Sequence, residues 1–285
     1  MSDPVCLITG ATSGIGTVTA REMANAGFRV VMACRDLTRA AELRKELRNL
    51  GNAGTIDILE CDLASLASVR KAADTYLADW QRLDVLINNA GIMPRGFQRS
   101  VDGFELTFAT NHLGPFLLTN LVLPLIERSA PARIVNVASR AHRRGVLELE
   151  GVDGDGSRHN DMRSYSRSKL ANVMFTLALA RRLQSRGVTC NCLHPGVVAT
   201  NIIPQGGWMG LAGNLLKPFM LSEERGAETS LYLALSDAVA GESGGYYDEH
   251  KVRREPSSTA RDVGAQEHLW RKSAAWVGFQ LEIPP

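Results

Sequence analysis

Charge of one sign is missing from this chain. The formal net charge is +2 over 285 residues, and there is no basic run and no basic patch interleaved with aromatics. Composition therefore gives no argument for a nucleic-acid or anionic-membrane partner. Long apolar runs are absent too: no uninterrupted stretch reaches the roughly 18 residues of a membrane-crossing helix, and no apolar leader precedes the first strand pattern. A soluble, cytoplasmic protein is expected. Cysteine is scarce and odd in number, five in all, and Cys6, Cys34, Cys61, Cys190 and Cys192 mostly fall in apolar runs that read as strands. That pattern fits reduced, buried thiols rather than a disulfide framework. Cys190, Cys192 and His194 alternate without any Cys-x-x-Cys spacing, so strand core positions account for them better than a metal set, and no metal is expected. Linkers, internal repeats and low-complexity tracts are also lacking, so a single domain over 1–285 is expected.

What the chain does have is alternation. Strand patterns at Val5 to Thr9, Arg29 to Cys34, Thr55 to Glu60, Leu83 to Asn88, Arg133 to Ala138 and Val188 to Leu193 are separated by helical apolar periodicity. One such helix is set by Ser65 as cap and Leu66, Val69, Ala73, Tyr76 and Trp80 on one face. Strands alternating with amphipathic helices predict an α/β, doubly wound parallel sheet. The helix from about 163 to 186 carries Leu170, Val173, Met174, Leu177 and Leu183, a face that suits core packing or a dimer equally. Ile202 to Leu221 mixes large apolar residues with four glycines. It reads as a substrate lid over about 200–225, which implies a lipophilic substrate; a helix packed on the core is the competing reading.

The first strand runs into Gly10-Ala-Thr12-Ser13-Gly14-Ile15-Gly16 and then a helix. Glycines let backbone approach a pyrophosphate, and free N–H groups at a helix start meet its charge. Beyond the second strand stand Arg35 and Asp36: arginine there suits the 2′-phosphate of NADP, an acidic residue the 2′-hydroxyl of NAD. Gly10, Arg35, Asp62 and Asn88 all fall at strand carboxyl ends, where such sheets bind ligands. Asn111 lies within an otherwise apolar stretch and needs a hydrogen-bond partner. Tyr165 and Lys169, four apart on a helix, share a face, and an ammonium beside a phenol favours the phenolate. By itself that spacing arises by chance about one time in ten; a redox cofactor, a hydroxyl partner and a cavity give it meaning.

Taken in order, the glycine motif, the Asn88-Asn89-Ala90-Gly91 run, Asn111, Ser139, Tyr165, Lys169 and Pro195-Gly196 make the sequence resemble the short-chain dehydrogenase/reductase family over nearly its whole length. It is most similar to the retinol dehydrogenase-like branch, through Ala33-Cys-Arg-Asp36, Asn111-His-Leu-Gly-Pro-Phe116, Tyr165 to Asn172 and His194-Pro-Gly196. The resemblance implies a Rossmann fold, NADP(H), and a Tyr165 that protonates the carbonyl oxygen as the nicotinamide delivers hydride. It implies that Lys169 lowers the Tyr165 pKa and bonds the nicotinamide ribose, Ser139 bonds the substrate oxygen, and Asn111 holds a water. It further implies that Asp62 and Leu63 meet the adenine, Asn88, Ala90 and Gly91 line the cofactor cleft, and Val198 and Thr200 hold the carboxamide. The function expected is NADP(H)-dependent, reversible reduction of a lipophilic aldehyde or ketone by a homo-oligomer, a dimer or tetramer. The alternatives are an NAD-dependent alcohol or steroid dehydrogenase and, from another class, a non-catalytic nucleotide-sensing scaffold.

Overall fold

The computed structural model describes residues 3–49, 55–157, 159–198 and 221–280. Leu50, Thr200 and the expected lid up to Met220 lie outside the described residues.

Six apolar segments of five or six residues cannot bury both faces without helices above and below, and the chain solves this in sequence order. β1 (Val5–Thr9), β2 (Arg29–Cys34), β3 (Ile56–Glu60), β4 (Val85–Asn88), β5 (Ala132–Val137), β6 (Val188–Leu193), β7 (Tyr246–Tyr247) and β8 (Arg253–Arg254) form one sheet. Their order is β3-β2-β1-β4-β5-β6-β7-β8. All neighbours are parallel except β7 and β8. The chain moves outward from β1 to β3, then crosses back to β4, so the topological switch lies between β1 and β4, where ligands enter such sheets.

Helices α1 (Gly14–Asn25) and α2 (Leu37–Asn49) follow the first two strands, and α3 (Leu66–Asp79) follows the third. Ser65 caps α3 by accepting from the Ser68 N–H, as its sequence position predicts. The apolar stretch that holds Asn111 is helical, as α4 (Leu106–Phe108), a π-helical turn (Ala109–Leu113) and α5 (Gly114–Arg128). α6 (Asp161–Arg182) precedes β6, and α7 (Glu223–Leu235), α8 (Ser258–Arg261) and α9 (Val263–Trp276) complete the chain.

The sheet separates two apolar cores. One joins α3, α5, α6 and α9 and includes Tyr76, Phe116, Leu170, Met174 and Trp270; the other joins α1, α2 and α7 through Met23, Leu43, Leu47 and Leu233. On α6, Leu170, Val173 and Met174, and at its C-cap Leu183, are buried within this chain, with Leu177 packed against the same core. That apolar face is core packing. Cys190 and Cys192 sit in the core strand, and among the described residues no group of His, Cys, Asp or Glu could hold a metal ion. Among those residues, no helix is long and apolar enough to cross a membrane.

Candidate active site

A cleft of about 1340 Å³ runs along the carboxyl ends of the strands. Its floor begins at the glycine turn after β1. Gly10 has φ +66°, and a Cβ there would stand 2.8 Å from the Ala90 Cα; a Cβ on Gly16 would lie 2.1 Å from the Gly10 carbonyl oxygen. Side chains at either position are excluded by this close packing of turn, helix and β4. At the start of α1, Ser13 makes no side-chain cap bond and the first turn holds no acidic residue. The leading N–H groups and the positive end of the helix dipole are thus turned to the cleft without a carboxylate of their own, which fits a pyrophosphate.

At the β2 end, Arg35 is exposed and lines the cleft. Asp36 accepts the Arg39 N–H at 3.0 Å, which makes it the N-cap of α2. Its carboxylate is a helix-capping group, which explains an acidic residue beside Arg35. Arg39 reaches back over the glycine turn to the Thr12 carbonyl, 2.7 Å from its Nε. Asp62 and Leu63 line the wall beyond β3, with the Asp62 carboxylate receiving the Ala64 N–H at 3.0 Å.

The tandem asparagines after β4 divide their work differently from expectation. Asn88 does not face the cleft: it is buried, and its Nδ2 donates to Thr119 Oγ1 at 2.9 Å and Asn136 Oδ1 at 2.8 Å. The side chain follows the strand's period of two to the α5 side of the sheet. Asn89 lines the cleft instead, donating through Nδ2 to the Thr9 and Gly10 carbonyls at 3.1 Å each. It ties the glycine turn to β4. Ala90 and Gly91 line the cleft as expected.

Ser139 follows β5 and caps a 3-10 turn, Arg140–Arg144, by accepting the Ala141 N–H at 3.2 Å. Tyr165 lies near the start of α6, partly buried. Burial raises its pKa, and a hydrogen bond with Ser139 acts the other way. Lys169, one turn on, is 1% exposed and places its Nζ 5.7 Å from the Tyr165 ring centroid. The ammonium donates to the Val137 carbonyl at 3.0 Å, and burial lowers its pKa to about 8. Proximity of Lys169 was expected to lower the Tyr165 pKa. In the structure the net shift is upward, set by burial against the Ser139 hydrogen bond.

Asn111 stands just behind the cleft wall, in the π-helical turn. Its Oδ1 accepts the Ile92 N–H at 2.8 Å, and its Nδ2 donates to the Ile92 carbonyl and to Ser168 Oγ, both at 3.0 Å. Ser168 in turn donates to the Tyr165 carbonyl at 2.7 Å. The amide therefore locks the strand β4 exit to α6. Its side chain is committed to these protein partners.

Pro195, Gly196 and Val198 line the far wall after β6. His142 was not anticipated. It is fully buried, with Nδ1 2.8 Å from the Ser139 carbonyl and Nε2 3.3 Å from the Ser257 N. A carbonyl on one side and an N–H on the other require the neutral Nδ1–H tautomer, in line with burial lowering its pKa.

The family model described as short chain dehydrogenase matches residues 4–205. Retinol dehydrogenase 14 of Mus musculus is 44% identical over 293 aligned residues, covering 98% of this chain and 87% of that protein. Retinol dehydrogenase 12 of the same species is 41% identical over 278 residues with the same coverage. Among solved structures, an uncharacterized protein from Mycobacterium paratuberculosis superposes with a TM-score of 0.77 at 34% identity, over 100% of this chain and 96% of that one. The RhlG/NADP active-site complex of Pseudomonas aeruginosa gives 0.68 at 26% identity, over 87% and 95%. The chain belongs to the short-chain dehydrogenase family, whose members are oxidoreductases using nicotinamide dinucleotides.

Proposed function

We propose that this protein is an NADP(H)-dependent carbonyl reductase, reversible towards alcohol oxidation, acting on a lipophilic aldehyde or ketone. The observation that carries it is the placement of Tyr165, Ser139 and Lys169 together at one end of a cleft whose other end is the glycine turn and Arg35. The bound nicotinamide supplies the hydride. Ser139 and Tyr165 are the donors that meet charge developing on the substrate oxygen, and Tyr165 gives up its proton to it. Lys169 brings a positive charge to that proton donor, and Asn111 positions the α6 turn that carries both.

Arg35 and Arg39 favour a 2′-phosphate, since the Asp36 carboxylate is taken by the α2 N-terminus rather than offered to a ribose. RhlG was solved with NADP, which supports the same preference. Apolar lining residues such as Met93, Leu106 and Met162 support a lipophilic substrate, as do the names of the retinol dehydrogenases. The same reading makes the protein cytoplasmic and homo-oligomeric, a dimer or tetramer; a single-chain mass in solution contradicts the latter.

The test is NADPH oxidation by purified protein against apolar aldehydes, ketones, retinal and steroids, with NADH and Tyr165→Phe in parallel. Turnover that prefers NADPH and falls at least about a thousandfold in Tyr165→Phe is expected. Equal rates in the variant, or binding of neither cofactor, contradict the proposal.

A further inference from the structure

The charges on the cleft walls are lopsided. On the β2–β3 side, Arg35 has Asp36 and Asp62 for company. Beyond Gly91 the walls carry Arg95, Arg140, Arg143, Arg144 and Lys169, and among the described residues no aspartate or glutamate. Strands β2 and β5 are three spacings apart in the sheet, roughly 14 Å. The arginines that follow β5 are therefore too far from Arg35 to share one phosphate with it, and the glycine turn lies between.

The three arginines that follow β5 are only partly answered by the protein. Arg140 faces Glu249 at 3.8 Å, and that carboxylate also stands 3.3 Å from His194. Arg143 donates to the Glu255 backbone carbonyl at 2.7 Å, a neutral acceptor that leaves its charge unmatched. Arg144 is exposed and has no acidic partner among the described residues. All three ride on the 3-10 turn that Ser139 caps. At about 2 Å per residue, the backbones of Arg143 and Arg144 lie roughly 8–10 Å along that turn from Ser139. Met93, Leu106 and Met162 supply apolar wall to the same cleft.

We propose that the substrate is an amphiphile with an anionic end, a long-chain oxo-acid whose carboxylate meets Arg143 and Arg144 while its carbonyl lies at Ser139 and Tyr165. The inference rests on the carbonyl-reductase reading of the same site. In the reaction the carbonyl carbon gains a hydride and its oxygen a proton, NADPH becomes NADP⁺, and the carboxylate takes no part. Guanidinium groups suit this task because they pair with carboxylates through two donors at once.

The experiment compares a twelve-carbon oxo-acid bearing a terminal aldehyde with its methyl ester, under NADPH, at low and high salt. The acid is expected to show about tenfold higher kcat/KM at low ionic strength, carried by KM, shrinking to about twofold near 0.5 M salt. Arg144→Glu should bring the ratio to about one or below, and Arg144→Lys should restore most of it. Equal kcat/KM for acid and ester in the wild type, or a ratio indifferent to Arg144→Glu while the ester still turns over, overturns the inference alone. Anionic vesicles that raise ester and acid turnover alike would assign the arginines to a lipid surface and overturn it too. Turnover of neither compound, nor of any neutral carbonyl, would instead remove the underlying reading.

Discussion

Lys169 holds an ammonium where water scarcely reaches, with the Val137 carbonyl as its acceptor. Its folded pKa of about 8 lies below the unfolded value of about 10.4. Below pH 8 the group is protonated in both states and the burial penalty, roughly 3 kcal/mol, is fully present. It is relieved as pH rises from 8 towards 10, so this residue makes stability climb with pH across that window. Lys169→Met is therefore expected to abolish carbonyl reduction while leaving the thermal midpoint at pH 7 equal to or above wild type; a drop of several degrees contradicts this. The rate of reduction should be level through neutral pH and fall above about 8, as Lys169 loses its charge. A second residue works at one remove: His142 fixes the Ser139 carbonyl. His142→Phe should lower kcat about ten- to a hundredfold with the NADPH KM unchanged, and His142→Gln should recover part of it. Tyr165 and Lys169 were legible from their four-residue spacing on a helix, and Ser139 from its place at a strand end. Asn89, Arg39 and His142 were not, since Asn89 bonds across 79 and 80 residues, Arg39 across 27 and His142 to Ser257 across 115.

At the scale of elements, apolar periodicity located each of the first six strands to within two residues at either end, because each strand buried on both faces is a short apolar run. The π-helical turn at Ala109–Leu113 left no such trace, being a change of hydrogen-bond register rather than of composition. The two-residue strands β7 and β8 blur for a different reason: too few residues alternate to show a period. α9 shows where a terminal helix gets its hold. Trp270 is buried against Phe116 and Phe175, with ring centroids 5.1 and 5.6 Å away, and Arg182 lies 4.0 Å from its ring centroid. Glu267 pairs with Arg182 at 2.5 Å and Arg181 at 2.9 Å. Trp270→Ala should destabilise the protein by about 3–5 kcal/mol in chemical denaturation, whereas Glu267→Gln, which keeps an acceptor for both arginines at a carboxylate site that is itself partly solvated, should cost about 1 kcal/mol. The reverse order would mean that α9 is held by charge.

For the molecule as a whole, the sheet order places the cleft over the β1–β4 switch and sets its two ends by which strand they follow. On the proposed function, the β2 end takes the adenosine side and the β5 end the carbonyl side. Ligand linkage makes the first testable: NADPH at a hundred times its dissociation constant should add about 2.7 kcal/mol of stability. Arg35→Asp should move that protection from NADPH to NADH; equal protection by both cofactors in wild type and variant contradicts the assignment. The measurement that bears most directly on the central claim is isotopic: NADPH carrying deuterium at both nicotinamide C4 positions is incubated with a lipophilic aldehyde, and the alcohol is examined by mass spectrometry. Wild type should deliver one deuterium to the carbonyl carbon, and Tyr165→Phe should deliver almost none in the same time. An alcohol without deuterium, or equal transfer by the variant, would contradict Tyr165 as the proton donor of a hydride-transferring site.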